Sequence, residues 1–118
     1  MDRTPLSQVF EKMSVLYSTP HWAGTFDDLA EVLGPAGFSD GRAWATFSTG
    51  TTALCLSDES DVPPWCLLGK THDVDAAAAL ARDAGWDVGE RTVGGHECRV
   101  VLRSPRGLTV IAYSPLTP

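Results

Sequence analysis

Three histidines, three cysteines and four tryptophans carry most of the chemistry open to this chain. His21 stands between Pro20 and Trp22, where an imidazole could accept a proton or hydrogen-bond a ligand. Glu97 is the second candidate for proton transfer. His72 precedes a helix cap and reads as a surface residue; His96 follows Gly94-Gly95 and reads as part of a turn. Cys66 lies between Trp65 and Leu67. That apolar setting works against the thiolate a nucleophile needs, so it reads as a buried structural thiol. Asp58, Glu59 and Asp61 cluster without EF-hand spacing and read as a solvated loop. Gly94-Gly95 lacks the GxxxxGK context of a phosphate loop. The tryptophans are more suggestive. Trp22, Trp44 and Trp65 fall on expected strands and Trp86 follows a helix. Aromatic rings lining a cavity stack on planar or cationic ligands.

Composition narrows the classes. At 118 residues the chain has the length of one domain. Hydrophobic residues make up 43 %, ordinary for a globular protein, and no apolar run approaches a membrane span. The start, MDRTPLSQVFEKM, lacks the basic-then-apolar layout of a secretory signal. Nine basic against fifteen acidic residues give a net charge of -6, with no basic stripe for nucleic acid. That balance mildly favours a partly cationic ligand. An odd, widely spaced cysteine set without CxxC fits reduced thiols in the cytoplasm.

Periodicity then supplies the elements that would position these residues. Thr4-Pro5 opens a helix, and Leu6, Val9, Phe10 and Met13 give it an apolar face, so a short amphipathic helix is expected from Pro5 to about Leu16. It would lie against the domain or serve a dimer contact. Tyr17 to Ala23 is the expected first strand, at an edge because of Pro20. Thr25 caps the next helix, with Leu29, Val32 and Leu33 on its apolar side, and Gly34-Pro35 ends it. A hairpin follows, Arg42–Ser48 and Thr52–Ser57. Ala45 and Phe47 alternate with Trp44, Thr46 and Ser48, and Cys55 alternates with Leu54 and Leu56. The set with Trp44, Thr46 and Cys55 is expected to face away from the helix, as the lining of a ligand cavity. Trp65–Lys70 is an apolar strand. Asp73 caps an alanine-rich helix that Gly85 stops. The tail folds as strands around a turn at Ser104-Pro105-Arg106-Gly107.

The two halves repeat one order of elements. Ala36-Gly37-Phe38 matches Ala84-Gly85-Trp86 at an offset of 48 (84 minus 36), which also lays Tyr17 on Trp65. DVDAAAALARDAGWDV and CRVVLRSPRGLTVIAYS carry a resemblance to the vicinal-oxygen-chelate superfamily, the group of glyoxalases, bleomycin-resistance proteins and ring-cleaving dioxygenases. The resemblance covers Trp65–Pro115 well and Tyr17–Ser57 weakly. The turn Ser104-Pro105-Arg106-Gly107 departs from the family's usual Asp-Pro-Asp-Gly.

The resemblance implies an α+β fold: paired βαβββ modules, about 17–58 and 64–115, forming a curved mixed sheet around a cavity within a single domain, with the short N-terminal helix added. It also implies a homodimer. Enzymes of the superfamily hold a divalent metal through His, Glu or Gln on the first and last strands of each module. Projected here, those windows are 17–19, 54–55, 65–67 and 110–112, centred on Ser18, Leu54 or Cys55, Cys66 and Ile111. None holds His, Asp, Glu or Gln, so no metal and no cofactor is expected. The function that follows is a metal-free protein sequestering a small aromatic natural product or antibiotic. The expected ligand-binding residues are Ser18, His21, Trp22, Trp44, Thr46, Cys55, Trp65, Cys66, Ile111 and Tyr113. The alternatives are a metal-independent lyase or isomerase using His21 or Glu97, and an interaction module with a collapsed cavity. Nucleic acid and membrane are not expected partners.

Overall fold

The chain was analysed as a computed structural model, which describes residues 6–94 and 97–116. His96 lies outside the described residues. Contacts divide the chain into two compact units, Ser14–Cys66 and Leu67–Pro118 with Met1–Met13. The elements are a 3-10 turn at Leu6–Val9, then β1 (Phe10–Ser18), α1 (Trp22–Leu33), β2 (Phe38–Ser39), β3 (Trp44–Ser48), β4 (Ala53–Ser57), β5 (Trp65–Thr71), α2 (Val74–Asp83), β6 (Asp87–Val88), β7 (Thr92–Val93), β8 (Glu97–Arg103) and β9 (Thr109–Pro115). The class is α+β, built from two βαβββ modules. No described helix is long and apolar enough to cross a membrane.

Each module arranges its strands in the same order. In the first it is β2-β3-β4-β1; in the second β6-β8-β9-β5, with β7 also on β8. First and last strands pair parallel, Ser18 beside Ser57 and Lys70 beside Tyr113, and the remaining pairs are antiparallel. The duplication is therefore topological, but its offset is not 48. Thr19 Oγ1 accepts the His21 N–H at 3.1 Å, and Thr71 Oγ1 accepts the Asp73 N–H at 3.2 Å, one such contact at each strand-to-helix junction. Those two threonines are equivalent at an offset of 52 (71 minus 19). Tyr17 thus corresponds to Gly69 rather than Trp65, and Ser18 to Lys70.

The expected N-terminal helix is a strand. Phe10–Ser18 is extended, preceded among the described residues by the 3-10 turn; Thr4 and Pro5, where the helix was expected to open, lie outside the described residues. Ser14, Leu16 and Ser18 alternate as buried residues, and β4 supplies the neighbouring backbone. Two of those three inward positions carry hydroxyls. The period-2 signal is therefore missing from the hydrophobic pattern, and the apolar spacing of Leu6, Val9, Phe10 and Met13 imitates a helix. The strand consequently stops at Ser18, where Tyr17–Ala23 was expected to continue it. Pro20 falls in the connection, where its missing N–H breaks no ladder. α1 starts three residues before Thr25, with His21 at the capping position and no side-chain cap. Phe38–Ser39 forms the short β2.

In each module the helix covers one face of its strands. Trp22, Phe26, Leu29, Ala30 and Leu33 recur at helical spacing and pack on Ala45, Phe47 and Leu56. The Trp22 and Phe26 rings stack at 5.2 Å, and Phe26 meets Phe47 at 5.5 Å. In the second module Val74, Ala77, Ala78 and Ala81 lie on Cys98, Val100, Leu102, Val110 and Ala112. Small alanines let the helix approach the sheet closely. Asp73 caps α2 as expected, its side chain accepting from the Asp75 and Ala76 N–H groups. At the other end the Gly85 N–H bonds Arg82 O and the Trp86 N–H bonds Ala81 O, with Gly85 at φ +85°. This is a Schellman stop, which turns Trp86 back onto the core.

Candidate functional site

Because side chains alternate along a strand, the residues facing away from each helix follow from those facing it. In the first module the helix-free face carries Ser14, Leu16 and Ser18 of β1, Ala53, Cys55 and Ser57 of β4, and Trp44, Thr46 and Ser48 of β3. The register sets these in rows, Ser18–Ser57–Trp44 and Leu16–Cys55–Thr46. Ser18 and Ser57 hydroxyls lie 2.7 Å apart, both buried. A buried hydroxyl without a partner is costly, and each serine supplies the other's. Thr46 Oγ1 lies 4.0 Å from Cys55 Sγ. Trp44 is half-buried at the row's end. The loop before it is fixed by Asp40, whose Oδ1 accepts the N–H groups of Arg42, Ala43 and Trp44, each at 2.9 Å. Those backbone donors, Ala43 first, hold the Asp40 carboxyl down at about 2.

The second module presents Leu68 and Lys70 of β5, Thr109, Ile111 and Tyr113 of β9, and Glu97, Arg99, Val101 and Arg103 of β8. Its rows are Lys70–Tyr113–Arg99 and Leu68–Ile111–Val101. Leu68, Ile111 and Thr109 are buried, while Lys70, Tyr113, Arg99 and Val101 are half-exposed. Arg99 Nε donates to Glu97 Oε2 at 3.0 Å. Asp87 pairs with Arg103 in the β6–β8 register and shares this face. Three cations thus stand against two carboxylates, and two of the cations flank a tyrosine. The local balance is positive on a chain whose net charge is -6. The charge of this face is thus opposite in sign to that of the whole chain.

Of the ten residues singled out in the sequence, the structure brings together Ser18, Trp44, Thr46 and Cys55 on the first face, and Ile111 and Tyr113 on the second. Cys66 alternates with Leu68 on β5 and is buried. Trp22 belongs to the helix–sheet core instead, with its Nε1–H directed to Leu56 O at 3.3 Å. Trp65 shares the parity of Leu67 and lies on the helix-bearing side. Its exposed ring packs on Tyr17 with centroids 4.3 Å apart. Trp22, expected on a strand, opens α1 instead, and Trp65 opens β5 as expected. His21 is exposed at the β1–α1 junction. Glu97 is the ion-pair partner of Arg99. Lys70, Arg99 and Arg103 were missed, although the alternation of Cys98-Arg99-Val100-Val101-Leu102-Arg103 shows the two arginines on one side.

The donor set can now be tested on observed strands. The helix-free positions of the first strands are Ser14, Leu16, Ser18, Cys66, Leu68 and Lys70; those of the last are Ala53, Cys55, Ser57, Thr109, Ile111 and Tyr113. They include no imidazole and no carboxylate, and an ammonium repels a cation. These residues do not fit a divalent ion. Among the described residues no three His, Cys, Asp or Glu side chains gather into a metal-binding group.

No protein-family model matches the chain, and no curated protein matches it. Solved structures do. A glyoxalase/bleomycin resistance protein/dioxygenase superfamily member from Vibrio splendidus 12B01 superposes with a TM-score of 0.63, at 7 % identity, over 89 % of this chain and 98 % of that one. The chain has the vicinal-oxygen-chelate fold. A methylmalonyl-CoA epimerase from Mycobacterium tuberculosis is similar at TM-score 0.58 and 13 % identity, covering 99 % of this chain and 94 % of that one. A structure named as a NAD-dependent benzaldehyde dehydrogenase from Legionella pneumophila reaches TM-score 0.77 at 16 % identity, over 88 % and 99 %. The names span unrelated chemistries, so the likeness fixes architecture and leaves activity to the residues.

Proposed function

We propose that this vicinal-oxygen-chelate protein binds a small aromatic molecule without a metal, on the helix-free faces of its modules, and that the molecule is anionic or phenolic. The observation that carries the reading is the row Lys70–Tyr113–Arg99: a ring between two cations, beside the apolar row Leu68–Ile111–Val101. On the second face a planar ligand gains by stacking on Tyr113 and by apolar burial against Ile111 and Val101; on the first, by stacking on Trp44. An acidic group on it meets Lys70 or Arg99. Thr46 offers a hydroxyl on the first face. Sequestration of an aromatic natural product or antibiotic is the biological form of this reading, and the same reading includes a homodimer, which sedimentation tests.

The test uses 1-anilinonaphthalene-8-sulfonate, an anionic aromatic dye, on chelator-treated protein. Tyr113→Leu or Trp44→Ala weakens dye binding about fivefold or more, and Arg99→Gln weakens it while leaving a cationic dye unaffected. Trp65→Ala, on the other side of the sheet, leaves both unchanged. Dye binding indifferent to Trp44, Tyr113 and Arg99 alike would refute the reading.

A further inference from the structure

A second, separate site lies on the helix-bearing side of the second module. A cavity of about 240 Å3 is bounded by Phe10, Met13, Leu67, Trp86, Leu102, Leu108 and Val110. Its floor is core: Leu102 and Val110 are buried. Its rim is open to solvent, Leu108 being 49 % and Met13 37 % exposed. Every lining residue is apolar, so the cavity offers a ligand no hydrogen bond of its own.

The polar group comes from next door. Trp86, turned inward by the Schellman stop of α2, also walls a second recess of about 360 Å3 lined by Ser104, Pro105 and Arg106. One indole therefore separates an apolar chamber from one carrying a guanidinium. Arg106 and Leu108 stand two residues apart on the β8–β9 turn, one on each side. That turn is rigid: the Gly107 N–H bonds Ser104 O at 3.0 Å, and the Leu108 N–H bonds Ser104 Oγ at 2.9 Å.

We infer that the paired recesses bind an amphiphilic carboxylate: a short alkyl or monocyclic tail beside Trp86, and the acid at Arg106. Phosphate alone lacks the tail and a neutral alkane lacks the anchor. The apolar chamber, at about 240 Å3, sits below the range typical of drug-sized ligands, which selects short tails. Neither the helix-free faces nor the aromatic-ligand reading enters this inference.

The experiment is calorimetric titration of the whole chain with hexanoate, octanoate and octan-1-ol. Each added methylene buried in the cavity tightens binding about fourfold, so octanoate binds roughly fifteenfold tighter than hexanoate. Arg106→Gln weakens octanoate about fivefold and leaves octanol unchanged. Leu108→Gln, an exposed substitution compatible with folding, weakens both. Octanoate does not displace the sulfonate dye from the helix-free faces, and Trp44→Ala does not alter octanoate binding, so the two readings fail separately. The inference is overturned if chain length has no effect, if Arg106→Gln acts on octanol as strongly as on octanoate, or if neither amphiphile binds. It is overturned equally if the wild type is a dimer that Leu108→Gln dissociates while alkanoates leave it intact, because the occupant is then a second copy.

Discussion

Gly69→Ala is the sharpest test of how the second module is packed. Gly69 stands on β5 beside Ala112 of β9, facing α2. A methyl group there would lie 2.6 Å from Cδ1 and Cε1 of Phe10 and 3.0 Å from Sδ of Met13. Carbon pairs prefer about 3.5–4.0 Å, so the Phe10 ring must retreat by about 1 Å. Overpacking of this kind costs about 1–3 kcal/mol. Two effects oppose it. Alanine restricts the unfolded chain more than glycine, which returns about 0.4–1 kcal/mol, and the backbone here is not left-handed, so no dihedral strain is added. The clash wins, and the net loss is about 1–2 kcal/mol. Denaturant unfolding measures it as a lower midpoint at unchanged slope. Combining the change with Phe10→Val removes the obstructing ring, so the double variant is more stable than the sum of the single effects, by about 1 kcal/mol. A neutral or stabilising Gly69→Ala, or strict additivity in the double variant, would refute the packing of β1 over this glycine.

Three further outcomes follow from named contacts. Ser57→Ala leaves the buried Ser18 hydroxyl without its 2.7 Å partner and costs about 1–2 kcal/mol, whereas the Ser18→Ala/Ser57→Ala pair costs less than the two single changes together; a double-mutant cycle in urea checks this. Trp22→Phe keeps the stack on Phe26 but deletes the indole donor to Leu56 O, so unfolding shifts by about 1–2 kcal/mol while dye binding is unchanged. Asp40 has its folded-state carboxyl lowered to about 2 from 3.8, so its contribution is fully present above pH 3.8 and is lost as pH falls through 2. Asp40→Asn abolishes that acid-side dependence, and thermal melts between those values measure it.

Much of the architecture was written in local patterns. The β3–β4 hairpin shows clean alternation, with Ala45 and Phe47 under α1 and Trp44 and Thr46 opposite. α2 carries an aspartate cap, an alanine face and a glycine stop within thirteen residues, Asp73 to Gly85. β1 was illegible because Ser14 and Ser18 occupy inward positions where a hydrophobic pattern expects aliphatics, and their burial is tolerated only through contacts that a single sequence does not show. That one misreading moved the repeat offset by four (52 minus 48), laid Tyr17 on Trp65 rather than on Gly69, and hid Lys70 as the equivalent of Ser18. The cavity beside Trp86 depends on Phe10 and Leu108, nearly a chain length apart, and no local signal links them. Its nearest trace was Gly85-Trp86, a glycine stop followed by an aromatic, which identifies a ring folded back onto a helix end.

Amide chemical-shift mapping of the isotope-labelled, chelator-treated protein with the anilinonaphthalene sulfonate dye tests the central claim most directly. The largest shifts are expected at Lys70, Arg99, Val101, Ile111 and Tyr113, with Thr46 and Cys55 following on the first face, and none at Trp22 or Ala77. Binding that requires an added divalent ion, or shifts confined to the surfaces of α1 and α2, would contradict it.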